Sequence, residues 1–552
     1  MKTYESLELS IPDRSIWSVS ALLDLQARTR PDKPFVVWEG VENTYAEVDE
    51  AANHIGSWLR GMGLADGDRV MLFLDNCVEY VLGWFGASRA GLVEVPTNSD
   101  YLGRFLTHAV TLTTPKAIVV HSHYVDRFVD VCDDLADLEP VFFVVGDDPD
   151  PGVAALEAAG WKAMPFASLL AAPESPVEHV IRPPRKELGA LLFTSGTTGP
   201  SKAVMMSHAH LFFFANEYIS MMRLTADDVL MTDGPMFHGN AQFFSILPTL
   251  ITGATSYVYR KFSPSSFAER VAESGATVTN WVGVMMDWVA KQPESELESQ
   301  SRLRSVFACP TAFTSVDDLR QRYGIESFNE LFGQTETGAA ILTPYGSEDR
   351  PPGAAGLHAS EWFEVRLVDP ETDEDVPVGE VGELVVRPKE PWVINLGYFG
   401  MPEASLEARR NLWFHTGDGM RRDEDGWFYF VDRLGDCLRR RGENISSFEV
   451  EVPLREHPDV TEVAAVAAPA DEEAGEDELH VFVVAKEGSG LAASSVFAWA
   501  ESVLPRFLVP RYVTLIDAMP VTPSGKVQKV ELRKRGIGLA TDRTEIRNPT
   551  PA

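Results

Sequence analysis

The stretch Leu191-Leu192-Phe193-Thr194-Ser195-Gly196-Thr197-Thr198-Gly199-Pro200-Ser201-Lys202 decides how the chain is read. Its first part, Ala190 to Phe193, is apolar and short, as a buried strand is. The strand feeds a turn of hydroxyls (Thr194, Ser195, Thr197, Thr198) and glycines (Gly196, Gly199) that closes on Lys202. Glycine lets backbone N–H groups approach an anion, and the hydroxyls and the lysine add donors and positive charge. A polyphosphate needs that composition. The spacing is not GxxxxGK followed by Ser or Thr, so a Walker A loop is excluded. Taken alone, the stretch also reads as a Ser/Thr/Gly-rich surface loop, and its surroundings must choose between the two.

Upstream, strand-like runs at Asp68 to Phe73, Gly91 to Val95, Ala117 to Val120 and Val141 to Val145 alternate with helical stretches at Ala21 to Arg30 and Val78 to Arg89. This alternation predicts an α/β fold with parallel sheet. Asp147 to Pro151 and Pro173 to Pro184 read as surface connections. After Ser360 the texture turns to β: Glu364 to Val368 and Glu383 to Arg387 alternate, split by Gly379 and Gly382. Beyond the basic cluster Arg439, Arg440 and Arg441 the pattern restarts as α+β. Helices are predicted at Glu449 to His457 and Ser494 to Leu504, strands at Val460 to Ala467 and Leu479 to Val484. These fit a final domain of about 110 residues.

The 552 residues carry 48 Lys and Arg against 82 Asp and Glu, a formal charge of -34. That balance disfavours nucleic acid and anionic membrane as partners, although a local pocket can still take an anion. It reads equally as a device for solubility or for life in salt. With 45% hydrophobic and 24% charged residues the chain is neither disordered nor fibrous. Cys77, Cys132, Cys309 and Cys437 are scattered and form no CxxC pair, so neither a zinc site nor a disulfide framework is expected. The start, MKTYESLELSIPDRS, lacks a signal peptide's apolar region. No apolar run approaches the roughly 20 residues of a membrane span, and Leu211-Phe212-Phe213-Phe214 reads as buried core. A cytoplasmic location is expected.

Four further strings carry chemistry. In Phe332-Gly333-Gln334-Thr335-Glu336 a carboxylate beside a phosphate site suits Mg²⁺, which favours one or two carboxylates plus phosphate oxygens. By itself this string is also a turn before a helix. In Trp413-Phe414-His415-Thr416-Gly417-Asp418 the final carboxylate can accept from both hydroxyls of a vicinal diol. Phe430-Val431-Asp432-Arg433-Leu434-Gly435-Asp436 places a glycine, which absorbs backbone rotation, where the C-terminal domain begins. Pro520 to Lys526 ends on a Gly525-Lys526 pair.

Together the five strings, in this order, resemble the signature motifs of adenylate-forming enzymes, the superfamily of acyl-CoA synthetases, luciferases and peptide-synthetase adenylation domains. Supporting strings are Gly379 to Leu384, Gly397-Tyr398 with Pro402-Glu403-Ala404, and Gly442-Glu443-Asn444-Ile445 with Glu449-Val450-Glu451. The likeness runs from about Arg30 to Arg533. The chain departs from the motifs at Pro200, one place early, at Ala203, at Gly435 and at Ala308-Cys309-Pro310-Thr311-Ala312. Leu74-Asp75-Asn76-Cys77 with Glu79, and Trp84-Phe85-Gly86, bring it nearest to CoA ligases of the carnitine/crotonobetaine type and to fatty or polycyclic acyl-CoA synthetases.

The resemblance implies an α/β multidomain fold: an N-terminal domain, 1–434, of two α/β subdomains and a β-subdomain, and a mobile α+β C-terminal domain, 435–552. It implies a carboxylic acid, ATP, Mg²⁺ and CoA as ligands, through acyl-AMP to acyl-CoA. Thr194, Ser195, Gly196, Thr197, Thr198, Gly199 and Lys202 would hold phosphates, and Glu336 the metal, with Thr335 on a phosphate. Phe332 would stack near the adenine, Gln334 would be among the cofactor-binding residues, Asp418 would bind the ribose, and Arg433 ribose or phosphate. Lys526 would neutralise charge in adenylation. Gly435 would be the hinge, and Gly442 would turn toward the thiol in the second step. Arg439 to Arg441 would meet CoA phosphates or simply be a solvated basic face.

The acyl group would lie near Met236 to Asn240, Trp281, Val282, Gly283, Thr311 and Gly333, with His238 at its carboxylate. Small residues at Gly239, Gly283 and Ala312 would leave room for a terpenoid, steroid-like or aryl acid; a fatty or carnitine-like acid stays open, Trp281 then forming part of an aromatic cage. Because the chain stops soon after Lys526, no carrier domain of its own is expected. Two alternatives remain: an adenylating enzyme that loads a separate carrier protein, and a non-catalytic binder of nucleotide or acyl-adenylate. Relatives of this kind are often homodimers, and that state is left open.

Overall fold

The computed structural model describes residues 2–176, 184–194, 201–309, 311, 313–347, 349–433, 437–440, 443–471, 476–520, 527 and 529–547. Its large part is built on two seven-stranded sheets. An N-terminal hairpin, β1 (Pro34–Trp38) and β2 (Val41–Thr44), belongs to the second of them. The first sheet comprises β3 (Arg69–Phe73), β4 (Val93–Pro96), β5 (Ala117–His121), β6 (Val141–Val145), β7 (Lys162–Pro165), β8 (Leu188–Thr194) and β9 (Lys202–Ser207), in the order β7-β6-β5-β3-β4-β8-β9. Its pairs are parallel except β8 with β9. The second sheet adds β10 (Val229–Thr232), β11 (Thr255–Val258), β12 (Val278–Val282), β13 (Ser305–Cys309) and β14 (Ser327–Asn329), in the order β14-β13-β12-β10-β11-β1-β2.

The strands at the centre of the first sheet are buried along nearly their whole length and mostly apolar, the exceptions being Arg69 at the start of β3, Glu94 within β4 and His121 at the end of β5. The helix Val78–Arg89 is buried on nearly every side, which explains its small proportion of polar residues. A Cβ at Gly86 would overlap Ile55, so this glycine lets the helix lie against Tyr45–Gly61. The latter starts with a capping box of Thr44 and Glu47. Asp147 to Pro151, expected as connection only, ends inside a helix, Asp150–Ala158, with Pro151 in its first turn where no N–H is needed.

The strand order reverses between β3 and β5, where open α/β sheets form a crevice at the carboxyl ends of their strands. Asn76 follows β3 by three residues and is buried. Its Nδ2 donates to the carbonyls of Gly234 (2.7 Å) and Tyr259 (2.9 Å), and its Oδ1 accepts from the Met236 N–H (2.8 Å). One side chain thus seats the segment leading to His238.

The β-rich part follows. A small sheet holds β15 (Leu331–Gln334), β16 (Gly338–Leu342) and β17 (Leu357–His358); a second holds β18 (Phe363–Val368), β19 (Val381–Pro388), β20 (Phe414–Arg422) and β21 (Phe428–Arg433). The smaller C-terminal domain contains the hairpin β22 (Cys437–Arg440) and β23 (Glu443–Ser446), the helix Ser447–Arg455, and a sheet of β24 (Val460–Asp471), β25 (Glu476–Ala485), β26 (Tyr512–Leu515) and β27 (Thr541–Asp542). None of the described cysteines Cys77, Cys132 and Cys309 forms a disulfide.

Candidate active site

β8 and β9 are the two rails of the quoted stretch, with Thr194 directly opposite Lys202. Ser195, Gly196, Thr197, Thr198 and Gly199 lie outside the described residues. Glu336 reaches this point from the turn between β15 and β16, so the string expected as a turn before a helix is the turn of a hairpin. Its Oε1 accepts from Thr194 Oγ1 (3.3 Å) and from the Tyr398 hydroxyl (3.1 Å). Its backbone carbonyl accepts from the N–H of Asn395 (2.9 Å) and from Asn395 Nδ2 (2.8 Å). Arg409 in turn donates to Asn395 Oδ1 (2.8 Å). Lys202 Nζ lies 4.6 Å from the centre of the Tyr398 ring, where an ammonium is attracted to the aromatic face. Thr335 is half-buried in the same turn.

Next to this group Gln334 Nε2 donates to Asp418 Oδ2 (2.6 Å) and to the Thr416 carbonyl (2.9 Å). Asp418 is buried in β20 and paired in register with Arg433 of β21. Its N–H donates to Thr416 Oγ1 (3.1 Å), whose hydroxyl is tied to the Leu384 carbonyl (2.6 Å). Gly417 adopts φ +71°, which favours glycine, and its N–H donates to Glu383 Oε1 (3.0 Å). Glu383 also faces His415 Nδ1 at 2.9 Å. Burial pushes the Glu383 carboxyl up, but these hydrogen bonds and the nearby Arg410 outweigh it and hold it below the usual range. The Phe332 ring stacks on Phe430 with centroids 6.3 Å apart. A Cβ at Gly333 would lie 2.5 Å from the Gly338 carbonyl, so this glycine lets the hairpin close. The side chain of Arg433, and Gly435, Gly442 and Lys526 altogether, lie outside the described residues.

The acyl side differs from expectation at two points. Along β12 side chains alternate between faces. Asn280 points to the helix His208–Met222, bonding Phe244 O (2.9 Å) and Ser245 Oγ (2.7 Å) and meeting the Tyr218 hydroxyl. Trp281 therefore points the other way and packs on Phe267 in a separate core with Met286 and Tyr323. It joins neither an aromatic cage nor the residues around Glu336. Gly239 does not leave an open space either, because a Cβ there would be 2.8 Å from the Phe243 ring. His238 caps the short helix Gly239–Ala241, accepting the Asn240 N–H on Nδ1 (3.2 Å), so in the neutral ring the proton sits on Nε2. Thr311 is pinned, its N–H on Glu330 Oε2 (2.9 Å) and its hydroxyl accepting from Arg350 (3.2 Å). The side chains of Val282 and Gly283, and Ala312 as a whole, lie outside the described residues.

The small domain touches the end of the same stretch. Ser201 Oγ donates to Glu449 on the helix Ser447–Arg455, and the Ser201 carbonyl meets His108 Nε2 at 2.9 Å. Burial raises the Glu449 carboxyl to about 7 although the Ser201 contacts lower it. Tyr101 stacks on Phe507, and Arg104 pairs with Glu456 (2.6 Å). Arg440, considered for CoA phosphates, is buried and committed inside the domain: it pairs with Glu478 (2.6 Å) and donates to the Val509 carbonyl (2.8 Å). Such a guanidinium is a structural tie.

Glu336 with its hydroxyl neighbours is an all-oxygen set, which fits a hard cation shared with phosphate oxygens. A second grouping, Asp75, His121 and His123, lies at the β3–β5 crevice. There His121 already uses its Nδ1 lone pair to accept the Asp75 N–H (3.0 Å), leaving the proton on Nε2. That tautomer opposes metal ligation.

The motif strings pointed to Thr194, Lys202, Gln334, Glu336 and Asp418, which the fold gathers. They did not point to Asn395 or Arg409, which brace Glu336 from 59 residues onward. Tyr398 was legible only as a supporting string.

The AMP-binding enzyme family model matches residues 23–399, and the AMP-binding enzyme C-terminal domain matches 449–526. The crotonobetaine/carnitine–CoA ligase of Salmonella typhimurium (strain LT2) is 29% identical over 513 residues, covering 91% of this chain and 96% of that protein. Among solved structures, o-succinylbenzoate CoA synthetase from Bacillus subtilis superposes with a TM-score of 0.77 at 20% identity, covering 94% of this chain and 98% of that one. The amide bond synthetase of Marinactinospora thermotolerans reaches 0.79 at 23% identity (94% and 99% covered), and apo MatB from Rhodopseudomonas palustris 0.65 at 27% (94% and 98%). Among the described residues no helix is long and apolar enough to cross a membrane. The chain therefore belongs to the AMP-binding enzymes of the adenylate-forming superfamily, and its activity is that of an AMP-forming acid–thiol ligase of the acyl-CoA synthetase type.

Proposed function

We propose that the protein joins a carboxylic acid to CoA in two steps. In the first, a carboxylate oxygen attacks the α-phosphorus of ATP, the bond to the β-phosphate oxygen breaks, and acyl-AMP and pyrophosphate form. In the second, the CoA sulfur attacks the acyl carbon, AMP leaves, and the thiol proton passes to solvent. The observation that carries this reading is the convergence of Thr194, Lys202, Tyr398 and Glu336 beside the Gln334–Asp418 pair.

In this reading Lys202 and Thr194 hold phosphate oxygens at the mouth of the stretch whose remaining members are Ser195, Gly196, Thr197, Thr198 and Gly199. Thr335 donates to the α-phosphate. Asp418, oriented by Gln334, accepts from the ribose hydroxyls, with Arg433 opposite it. Phe332 offers its ring to the adenine. Glu336 would hold Mg²⁺, which when bound would neutralise charge on the polyphosphate. Lys526 places a positive charge at the attacking carboxylate, which stabilises the transition state electrostatically. His238 marks the carboxylate end of the acyl site, and Gly333 and Thr311 border it.

We place the domain division at 434/435, with Gly435 as hinge and Gly442 beside the incoming thiol. Glu94, hydrogen-bonded to Gln242 behind Met236, has its carboxyl pushed well up by burial, so it is a poor counter-charge for a quaternary ammonium. With Trp281 turned away as well, bulky or aryl acids are favoured over carnitine-like ones. The unbridged cysteines support a cytoplasmic setting.

The test is pyrophosphate release over a panel of fatty, aryl, polycyclic and carnitine-like acids, with and without CoA. Acyl-CoA formed with stoichiometric AMP is expected. Pyrophosphate without acyl-CoA would replace CoA by a carrier-protein thiol.

A further inference from the structure

His210 stands apart among the described histidines. It is fully buried in the first turn of the helix His208–Met222, its N–H donating to the Ser207 hydroxyl that caps the helix (3.1 Å). Neither Nδ1 nor Nε2 of its ring has a hydrogen-bond partner among the described residues. Of the other deeply placed imidazoles, His480 spends a nitrogen on Thr514, His415 on Glu383, His358 on the Phe363 carbonyl and His121 on the Asp75 N–H, while in His208 Nδ1 alone counts as an orphan. Burial lowers His210 to about 3, so its ring is neutral and offers one donor and one acceptor. Leaving a buried polar atom unsatisfied costs the full desolvation of that group. Such a pair of orphans in a well-packed chain needs an explanation.

Its position supplies one. Nε2 lies 3.7 Å from the point where a Cβ on Gly338 would sit, and Gly338 follows Glu336 by two residues, with φ +69°. One turn along the helix, the Phe214 ring lies parallel to the imidazole with centroids 6.2 Å apart. Phe214 meets Phe243 at 5.0 Å, and Phe243 closes against Gly239, next to His238. Phe243 sits in a π-helical turn, Gln242–Ile246, a local widening of the helix that is frequent at functional sites. The orphaned nitrogens thus belong to an aromatic wall running from the Glu336 turn to His238.

We propose that His210 sets acid specificity by hydrogen-bonding a hydroxyl, oxo or amino group carried on the ring of an aromatic or alicyclic acid, remote from its carboxylate, with that ring against Phe214 and Phe243. This rests on the acid-activating function proposed above. A site built to hydrogen-bond a substrate group rejects the analogue lacking it far more strongly than an apolar pocket rejects an added group.

The full-length protein is tested by acid-dependent pyrophosphate release on matched ring acids with and without a ring hydroxyl, oxo or amino group. The expected preference for the polar member is at least about 10-fold in kcat/KM. In His210→Phe this preference collapses through a raised KM for the polar acids, the ATP KM stays as in the parent, and His210→Asn restores part of the ratio. Pairs equal within about threefold in the parent, or a ratio that His210→Phe leaves intact, would overturn the assignment. The parent comparison stands even where a variant does not fold. If no acid on the panel releases pyrophosphate while ATP still binds, the ligase reading falls and the assignment with it. Acids that are activated without discrimination leave the ligase reading standing and remove His210 alone.

Discussion

The two halves of the site, the one proposed to face the nucleotide and the one proposed to face the acyl group, are built differently. Around Glu336 and Asp418 one oxygen of each carboxylate is held by neighbours: Thr194 and Tyr398 on one, Gln334 on the other, with Asn395 and Arg409 behind. Around His210 the wall is aromatic, and neither imidazole nitrogen has a hydrogen-bond partner among the described residues. A preorganised half suits a ligand that never changes, because fixed donors and acceptors lose nothing to reorganisation. A half with unfilled hydrogen-bonding capacity suits a ligand that must be chosen.

This contrast can be broken by mutation. The largest effect is expected for Lys526→Ala, which should cut pyrophosphate formation by about 10²–10³-fold while sparing thioester formation from supplied acyl-adenylate. Equal loss in both half-reactions, read by quenched-flow on each, would put Lys526 elsewhere. Glu336→Gln should cost about 10²-fold and raise the Mg²⁺ needed for half-maximal rate. An unchanged Mg²⁺ titration would remove the carboxylate from the metal.

Asp418→Ala should raise the ATP KM about tenfold, the worth of one charge-assisted hydrogen bond, with the ranking of acids unaltered. If the ranking moves, the two halves are not independent. Tyr398→Phe, which takes one donor from Glu336, should cost about three- to tenfold in kcat/KM for ATP, measured by isotope exchange.

The smallest effect concerns the small domain. Because burial raises Glu449 from 4.5 to about 7 where it meets Ser201, the docked state binds the proton more tightly than an undocked one. Docking should therefore be strongest below pH 4.5, weaken as pH rises to about 7 and level off above that, as read by proteolysis or by a fluorophore pair across the contact. Glu449→Gln should flatten the profile.

Much of the proposed nucleotide half was legible because its residues sit in strings only a few positions long, Thr194 to Lys202 and Phe332 to Glu336, where chemistry and spacing are printed together. The braces Asn395 and Arg409 were not, since they act through one backbone carbonyl and one amide with no composition of their own. The acyl half was read less well. Trp281 was expected on the substrate side, but one step along a strand reverses the face, and only the register of β12 against its neighbours tells which face that is. Gly239 was taken as room, and the ring of Phe243 occupies it. The basic cluster was weighed as a binding surface, yet Arg440 is buried in an ion pair with Glu478, 38 residues away.

Alternation of apolar runs with helices determined the α/β class, and five short strings determined the family and most of the residues proposed for the nucleotide, because backbone preference and phosphate chemistry are local properties. Tertiary structure alone decided which side chains brace Glu336, which way Trp281 faces, and that His210 is buried with both nitrogens unspent. Those facts depend on which distant surfaces meet, and burial and hydrogen-bond satisfaction have no value until they do.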